Sequence, residues 1–273
     1  MNKPKSNTII AWWSAGVTSA IATKIAIDEF GDRVIPVYFA IDSSHPDNDR
    51  FKEQCENWYG RSIEVHRSKK YTDQFDVIEK TAYVNGPSGA RCTLELKKKV
   101  RQDLEKEWDY EGQIFGFEYS KKEINRAIRF KEQYPTAKPI FPLIEKKITK
   151  PESLHLLEEA GIPRPEMYNL GYKNNNCIGC VKGGAGYWNK IRTDFPVHFN
   201  KMAALERKIG HSCIRNDFLD TLDPNKGHEQ KIVMPDCGNF CDIEFSELAH
   251  PQLELFVEYP ELVRSFNNGS GKE

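Results

Sequence analysis

The feature that most limits what this chain can fold into lies at its start. Residues 7–13, "NTIIAWW", form a short apolar run, and residues 18–30, "TSAIATKIAIDEF", carry the spacing of an alanine-rich helix. Between them stands a small, hydroxyl-bearing turn, "SAGVTS". A second apolar run, "RVIPVYFAID" (33–42), follows at once. Two strands separated by a helix of this length require a crossover connection, and hence parallel pairing with helices laid on the sheet.

The alternation continues. Residues 46–60 read as a helix with Phe51, Cys55 and Trp58 on one face, and 62–68 read as a third strand. "TLELKKKVRQDLEKEW" (93–108) has the pattern of one charged amphipathic helix, "GQIFGFEYS" (112–120) that of a strand and its exit turn, and residues 121–134 and 151–161 that of two more helices. The expected architecture is α/β, a doubly covered parallel sheet whose ligands sit at the carboxyl ends of the strands. Both "SAGVTS" and "DSSHPDN" fall at such ends. From Pro163 onward proline, glycine, asparagine and five of the seven cysteines crowd the sequence. The expected division is therefore 1–162, a nucleotide-binding α/β domain, and 163–273, an irregular cysteine-rich module with a frayed "NNGSGKE" tail.

Composition narrows the function classes. With 39 basic and 40 acidic residues in 273, no global field draws the chain to a polyanion, so any such binding must be local. No apolar run approaches the roughly 18–20 residues that span a bilayer, and "MNKPKSNTIIAWW" has no signal-peptide core, so a cytoplasmic protein without a membrane partner is expected. In a reducing compartment an odd number of cysteines points to metal, cluster or catalytic thiols rather than a disulfide frame.

The opening turn has a chemistry of its own. Gly16, set between small and hydroxyl residues after a strand and before a helix, lets backbone N–H groups face an anion with no side chain in the way, and the helix N-terminus adds partial positive charge. Ser14, Ala15, Gly16, Val17, Thr18 and Ser19 thus suit a phosphate, with hydroxyl donors from Ser14, Thr18 and Ser19. The competing reading is a plain helix N-cap. The Gly-Lys-Ser/Thr ending of a Walker loop is absent.

"SAGVTS" resembles the PP-loop of the adenine-nucleotide α-hydrolase superfamily, usually Ser-Gly-Gly-x-Asp-Ser. The collinear segments "AIDSSHPDNDRF", "GARCTLELKKKVR", "GFEYSKKEINRA" and "PLIEKKITKPESLHLLEEAGIPRPEMYNLGYKNNNCIGC" resemble the phosphoadenosine phosphosulfate (PAPS) reductase family within it, over about residues 8–195. The resemblance implies a Rossmann-like fold of the adenine-nucleotide α-hydrolase type. It also implies an adenine nucleotide, ATP or PAPS or its 3′-unphosphorylated relative APS, held by residues 14–19 together with Asp42, Ser43 and His45. His45 is equally a turn cap. Ala15 stands where the family pattern has glycine, and Thr18 where the ATP-cleaving members carry an aspartate that helps manage Mg; Asp42 or Asp47 could serve instead.

Cys177 and Cys180 form a Cys-x-x-Cys pair, and Cys237 and Cys241 a Cys-x-x-x-Cys pair. Such turns aim thiolates and backbone N–H groups at one point, as zinc or an iron–sulfur cluster requires. The resemblance adds Cys92, since cluster-bearing APS reductases carry cysteines in that segment. Cys92, Cys177, Cys180 and Cys241 are then the expected ligands. Cys237, in an Asp-Cys-Gly setting like that of the reductase nucleophile, is the expected catalytic thiol, although the roles of Cys237 and Cys241 could be exchanged. Cys55 and Cys213 are assigned to packing.

Lys97, Arg126, Arg129, Lys182, Lys190 and Arg192 lie on or beside matched segments, and Arg126 and Lys182 are the preferred oxyanion contacts. The expected function is nucleotide activation coupled to sulfur transfer. The alternatives are a sulfonucleotide reductase working with a thiol reductant such as thioredoxin, and a non-catalytic nucleotide-binding protein with a structural zinc. The sulfur acceptor is open, and a nucleic acid is among the candidates.

Overall fold

The computed structural model describes residues 7–86, 89–215 and 217–227. Strand β1 (Ile9–Trp13) leads into α1 (Val17–Phe30), β2 (Val34–Phe39), α2 (Asp47–Tyr59), β3 (Glu64–His66) and α3 (Gln74–Thr81). A two-stranded ribbon, β4 (Asn85–Gly86) with β5 (Gly89–Ala90), precedes a helical stretch made of α4 (Arg91–Thr93), a π-helical segment (Leu94–Lys98) and α5 (Lys99–Glu107). The chain then runs through β6 (Gly112–Ile114), α6 (Lys121–Gln133), β7 (Pro139–Ile140), α7 (Pro142–Glu145), α8 (Lys150–Glu159), α9 (Glu166–Asn169), α10 (Ala185–Asp194) and α11 (Pro196–Ile209).

The five main strands lie in the order β3-β2-β1-β6-β7, all parallel, in a Rossmann-like α/β sheet. β1 is central, with Trp13 opposite Tyr38 of β2 and Ala11 opposite Ile114 of β6. Its side chains alternate between the two faces. Ile9, Ala11 and Trp13 join α1, α2 and α8 in one core, whereas Ile10 and Trp12 join Phe115, Phe130 and Phe141 in the other. Each large apolar side chain so buried stabilises the fold by about 1.5–3 kcal/mol. The chain walks from β1 out to β3 and then crosses back to β6 on the other side of β1, so the sheet's switch point lies between the carboxyl ends of β1 and β6.

Local sequence sets the helix starts. Asp73 caps α3 by accepting the Asp76 N–H at 2.7 Å, Ser120 caps α6, and Thr149 with Glu152 closes a reciprocal capping box on α8. On α2 the buried face is Phe51, Cys55 and Tyr59, spaced by four, while Trp58 is half-buried with the Lys24 ammonium over its ring.

Two expectations of the sequence change here. The stretch 93–108 is not one regular helix, because its first turn is π-helical. Nor is the region after Pro163 irregular throughout. α10 and α11 span 10 and 14 residues and bury Tyr187, Trp188, Ile191, Phe199, Met202 and Leu205. Their core also takes in Phe75, Ile78 and Val84, so a single apolar cluster draws on both sides of residue 162. Among the described residues no helix is long and apolar enough to cross a membrane.

Candidate functional site

The turn after β1 sits at the switch point and is tightly closed on itself. Ser19 Oγ accepts from the Ser14 N–H and the Ser14 hydroxyl, both at 3.0 Å, and donates to the Gly16 carbonyl at 2.8 Å. Ala15 is fully buried at φ +59°, in the left-handed region that glycine occupies without cost. Gly16 is extended and serves as the N-cap of α1. A methyl added there would meet Ser14 Oγ and Tyr168 Oη at 3.5 Å, ordinary contact distances. Val17 is buried and its N–H donates to Tyr168 Oη at 3.4 Å, while Thr18 is half-buried.

Gly116 has no such room. A methyl there would stand 2.7 Å from the Ser19 backbone, so the exit of β6 lies directly on the start of α1 and only glycine permits it. The matched "GFEYS" segment gave no sign of this contact, since it depends on a partner nearly a hundred residues away.

The segment before the Cys-x-x-Cys pair reaches over this turn. Asn175 Nδ2 donates to the Ala15 carbonyl at 2.8 Å and to Asn48 Oδ1 at 2.7 Å, and Asn48 in turn donates to Tyr38 Oη. Asn175 Oδ1 is buried with no hydrogen-bond partner among the described residues. Three residues on, the Ile178 N–H donates to the Ser43 carbonyl at 2.9 Å. Ser43 is buried and its hydroxyl donates to Gln74 Oε1, whose amide donates to the Ile178 carbonyl at 2.7 Å. His45 Nδ1 accepts the Asp47 N–H at 3.1 Å, as a turn cap does.

Both carboxylates considered for metal handling already have guanidinium partners. Asp47 holds Arg50 through two bonds of 2.6 and 2.7 Å and also accepts the Glu166 N–H. Although burial alone would raise it, the Arg50 bonds and the Glu166 N–H hold its pKa below the usual carboxylate value. Arg50 also donates to the carbonyls of Pro163 and Arg164, so this pair clamps the start of the second half to α2. Asp42 is exposed and paired with Arg67.

Cys92, Cys177 and Cys180 line one narrow pocket open to solvent, together with Ile41, Gln74, Lys97 and Lys182. Cys92 lies in α4, just before the π-helical segment Leu94–Lys98 that carries Lys97. The wider i to i+5 turn departs from the 3.6-residue repeat, so the faces of 91–93 and 99–107 are not in the register of one regular helix. Sequence periodicity gives no signal for such a turn.

A second long-range feature shapes the knuckle. The buried Tyr187 Oη accepts the N–H groups of Gly179 at 3.0 Å and Cys180 at 2.8 Å, and donates to the Cys177 carbonyl at 3.3 Å. These two amides, expected from the sequence to face the thiol side, are directed at a phenol instead. Burial, then the neighbouring Cys180, raises the pKa of that phenol far above its ordinary value, so it stays protonated.

Thiolates are the donors that zinc or an iron–sulfur cluster takes, and Cys92, Cys177 and Cys180 line the same pocket without being drawn together into a ligand set. Among the described residues no three histidine, cysteine, aspartate or glutamate side chains are grouped as a metal ion requires. Cys237 and Cys241 lie outside the described residues. Cys55 and Cys213 are buried in the apolar clusters, and burial pushes the Cys55 thiol up to about 12.

The basic candidates separate by position. Lys97 and Lys182 face the cysteine pocket. Arg126 is buried, pairs with Glu123 at 3.2 Å and lies 4.4 Å from the Phe117 ring centroid, just past β6. Arg129 is half-buried on the same helix. Lys190 pairs with Asp194, and Arg192 donates to the carbonyls of Leu219 and Leu222. Arg192 thus ties α10 to the segment after α11.

No protein-family model matches the chain, and no curated protein matches it.

Proposed function

We propose that this protein is an enzyme that binds an adenine nucleotide at the Ser14–Ser19 turn and uses it to activate an acceptor for sulfur transfer at the cysteine pocket. The observation that carries the reading is the span of residues 175–180. Asn175 touches the phosphate-type turn at Ala15, and two and five residues later Cys177 and Cys180 line the pocket with Cys92. A nucleotide phosphate at the switch point and a set of thiols would then share one edge of the sheet. The collinear resemblance to PAPS reductases, and beyond it to the adenine-nucleotide α-hydrolase fold, supports the same pairing.

In this reading an acceptor oxygen attacks the α-phosphorus of ATP and pyrophosphate leaves. A persulfide on one pocket cysteine, charged by an external sulfur donor, then displaces AMP from the activated carbon. The thiolate of its Cys-x-x-Cys neighbour attacks the resulting disulfide, releasing the thiolated acceptor and leaving a Cys177–Cys180 disulfide that an external thiol reductant reduces. The backbone at Gly16 to Ser19 and the α1 N-terminus stabilise the phosphate charge, and Lys97 and Lys182 hold an oxyanion beside the thiols. Bound zinc or cluster would supply a thiophilic Lewis-acid site.

Calorimetric titration of ATP, APS and PAPS into the wild type and Gly16→Val tests the nucleotide half. Provided its thermal midpoint matches the wild type, the variant should lose roughly tenfold or more in affinity, or about 1.4 kcal/mol. Unchanged affinity in a folded variant would overturn the site. For the sulfur half, anaerobic purification followed by iron, sulfide and zinc analysis of the Cys92→Ser, Cys177→Ser and Cys180→Ser proteins should show a bound centre lost in each. Full occupancy in all three would overturn the thiol assignment.

A further inference from the structure

In a Cys-x-x-Cys turn the amides of the last two residues ordinarily face the sulfur of the first cysteine and hydrogen-bond to it. Here those amides belong to Gly179 and Cys180, and they donate to Tyr187 Oη instead, at 3.0 and 2.8 Å. The phenol donates in turn to the Cys177 carbonyl at 3.3 Å. One hydroxyl thus takes two hydrogens and gives one, which fills its capacity.

The fold holds the phenol in this place from several sides. Tyr187 stands in the first turn of α10 and is 1 % exposed. Its ring lies against Gly183, where an added methyl would come within 1.9 Å of it, so only glycine leaves the ring room. The Gly183 N–H donates to the Cys180 carbonyl at 3.0 Å and closes the turn, and Tyr172 meets the ring edge-on with centroids 6.0 Å apart. The two cysteines differ in access. Cys177 is half-buried, whereas Cys180 is buried in the apolar cluster with Val181 and Trp188. A sulfur donor or reductant from outside therefore meets Cys177 first.

We propose that Tyr187 is a positioning residue that withholds these two amides from the Cys177 sulfur, and that Cys177 is the cysteine of the pair that carries the transferred sulfur. An N–H···S hydrogen bond favours an electron-rich thiolate over a disulfide sulfur and makes it a poorer nucleophile. With both hydrogens on the phenol, the sulfur carried at Cys177 keeps its electron density for the attack on carbon. Cys180, as its thiolate, then attacks Cys177 Sγ, the thiolated acceptor leaves, and the pair closes as a disulfide. The use of the sulfur rests on the function proposed above, whereas the placing of the amides does not.

The test is the equilibrium of the Cys177–Cys180 pair with dithiothreitol and its cyclic disulfide at neutral pH, read by mass spectrometry of the trapped thiols. In the exchange the dithiol gives two electrons and two protons to the protein disulfide and closes into its own ring. Tyr187→Phe keeps the ring but removes the acceptor, so the two amides turn to the Cys177 sulfur and favour its reduced state. The disulfide of this variant should be reduced at a roughly tenfold lower ratio of dithiol to cyclic disulfide than that of the wild type, or about 30 mV. Tyr172→Phe loses a bond to Asp194 beside the same ring and should keep the wild-type ratio. Equal ratios in the wild type and Tyr187→Phe would overturn the proposal, as would an equal shift in Tyr172→Phe or a pair that no ratio oxidises. Amide hydrogen exchange reads the same contact without a disulfide and in a chain that keeps the phenol. Cys177→Ala should leave the Gly179 and Cys180 amides protected; loss of that protection would make the sulfur their acceptor and overturn the proposal. Inorganic polysulfide should load a cyanide-releasable sulfur onto Cys180→Ser and not onto Cys177→Ser, and any other pattern would overturn the carrier assignment. None of these readouts involves a nucleotide or an acceptor, so a protein that binds no ATP would overturn the function proposed above and leave the Tyr187 assignment standing.

Discussion

Asn175 donates its side-chain amide to the backbone carbonyl of Ala15, 160 residues earlier, at 2.8 Å. The same amide group holds Asn48 Oδ1 at 2.7 Å, so one side chain ties the turn after β1, the first turn of α2 and the approach to Cys177. The turn at the switch point is therefore completed by the second half of the chain, and its conformation is coupled to that of the cysteine knuckle.

Removing that tie should loosen both. Asn175→Ala strands the Ala15 carbonyl and the Asn48 side chain, at a cost of about 1–3 kcal/mol. Asn175→Asp should cost more at neutral pH, because a carboxylate would face two oxygen acceptors with no proton to offer. Urea unfolding of the three proteins should rank them wild type, Ala, Asp in falling stability. An Asp variant as stable as the wild type would mean that Asn175 does not hold the turn.

The two glycines at the switch point should answer differently to the same change. At Gly16 a methyl finds contacts of 3.5 Å, so Gly16→Ala should alter stability by less than about 1 kcal/mol. At Gly116 it meets the Ser19 backbone at 2.7 Å, so Gly116→Ala should destabilise by about 1–3 kcal/mol as β6 is pushed away from α1. Parallel thermal denaturation reads the difference directly. Similar midpoints for the two variants would contradict the close approach.

The alternation of apolar runs made the parallel sheet and the placing of "SAGVTS" legible, because buried strands and their crossover helices leave a pattern within each segment. Sequence leaves His45 open between turn cap and nucleotide contact, and its Nδ1 accepts the Asp47 N–H, as a cap does, without engaging Nε2. What was not legible depends on distant partners. The π-helical turn that carries Lys97 is announced by no local spacing, and Tyr187 takes the Gly179 and Cys180 amides only because α10 packs beneath the knuckle. α10 and α11 were hidden for a different reason. The density of glycine, asparagine and cysteine around them outweighed the apolar spacing of Tyr187, Trp188, Ile191 and Phe199, Met202.

Buried thiols and phenols should make the fold sensitive to alkali. The Cys55 pKa lies near 12, raised mainly by burial from an ordinary 9.0, so the folded state keeps a proton that the unfolded chain gives up. Stability from this group is complete below about pH 9 and is lost as pH rises towards 12, by about 1.4 kcal/mol per unit. Tyr59, buried against it, is shifted the same way. Urea midpoints measured across this range should fall steeply in the wild type and less steeply in Cys55→Ala, which is less stable at neutral pH because it leaves a cavity. Parallel pH profiles for the two proteins would show that Cys55 does not titrate with unfolding.

Glu206 is the last residue whose role the structure brings out. Its side chain is completely buried on α11 and accepts the N–H groups of Cys213 at 2.6 Å and Leu219 at 2.7 Å. One carboxylate thus fixes the loop that follows α11 and seats Leu219 and Leu222, whose carbonyls hold Arg192. Glu206→Ala would leave two buried N–H groups without an acceptor and a cavity beside Cys213, at a cost of about 3–5 kcal/mol. Glu206→Gln keeps the shape but turns an NH2 group towards one of the two donors, and should cost less, about 1–3 kcal/mol. Amide hydrogen exchange supplies the local readout. Protection at Cys213 and Leu219 should vanish in the alanine variant, while in the glutamine variant one of the two amides stays protected. Full protection of both amides in Glu206→Ala would show that the loop is held by its apolar contacts alone.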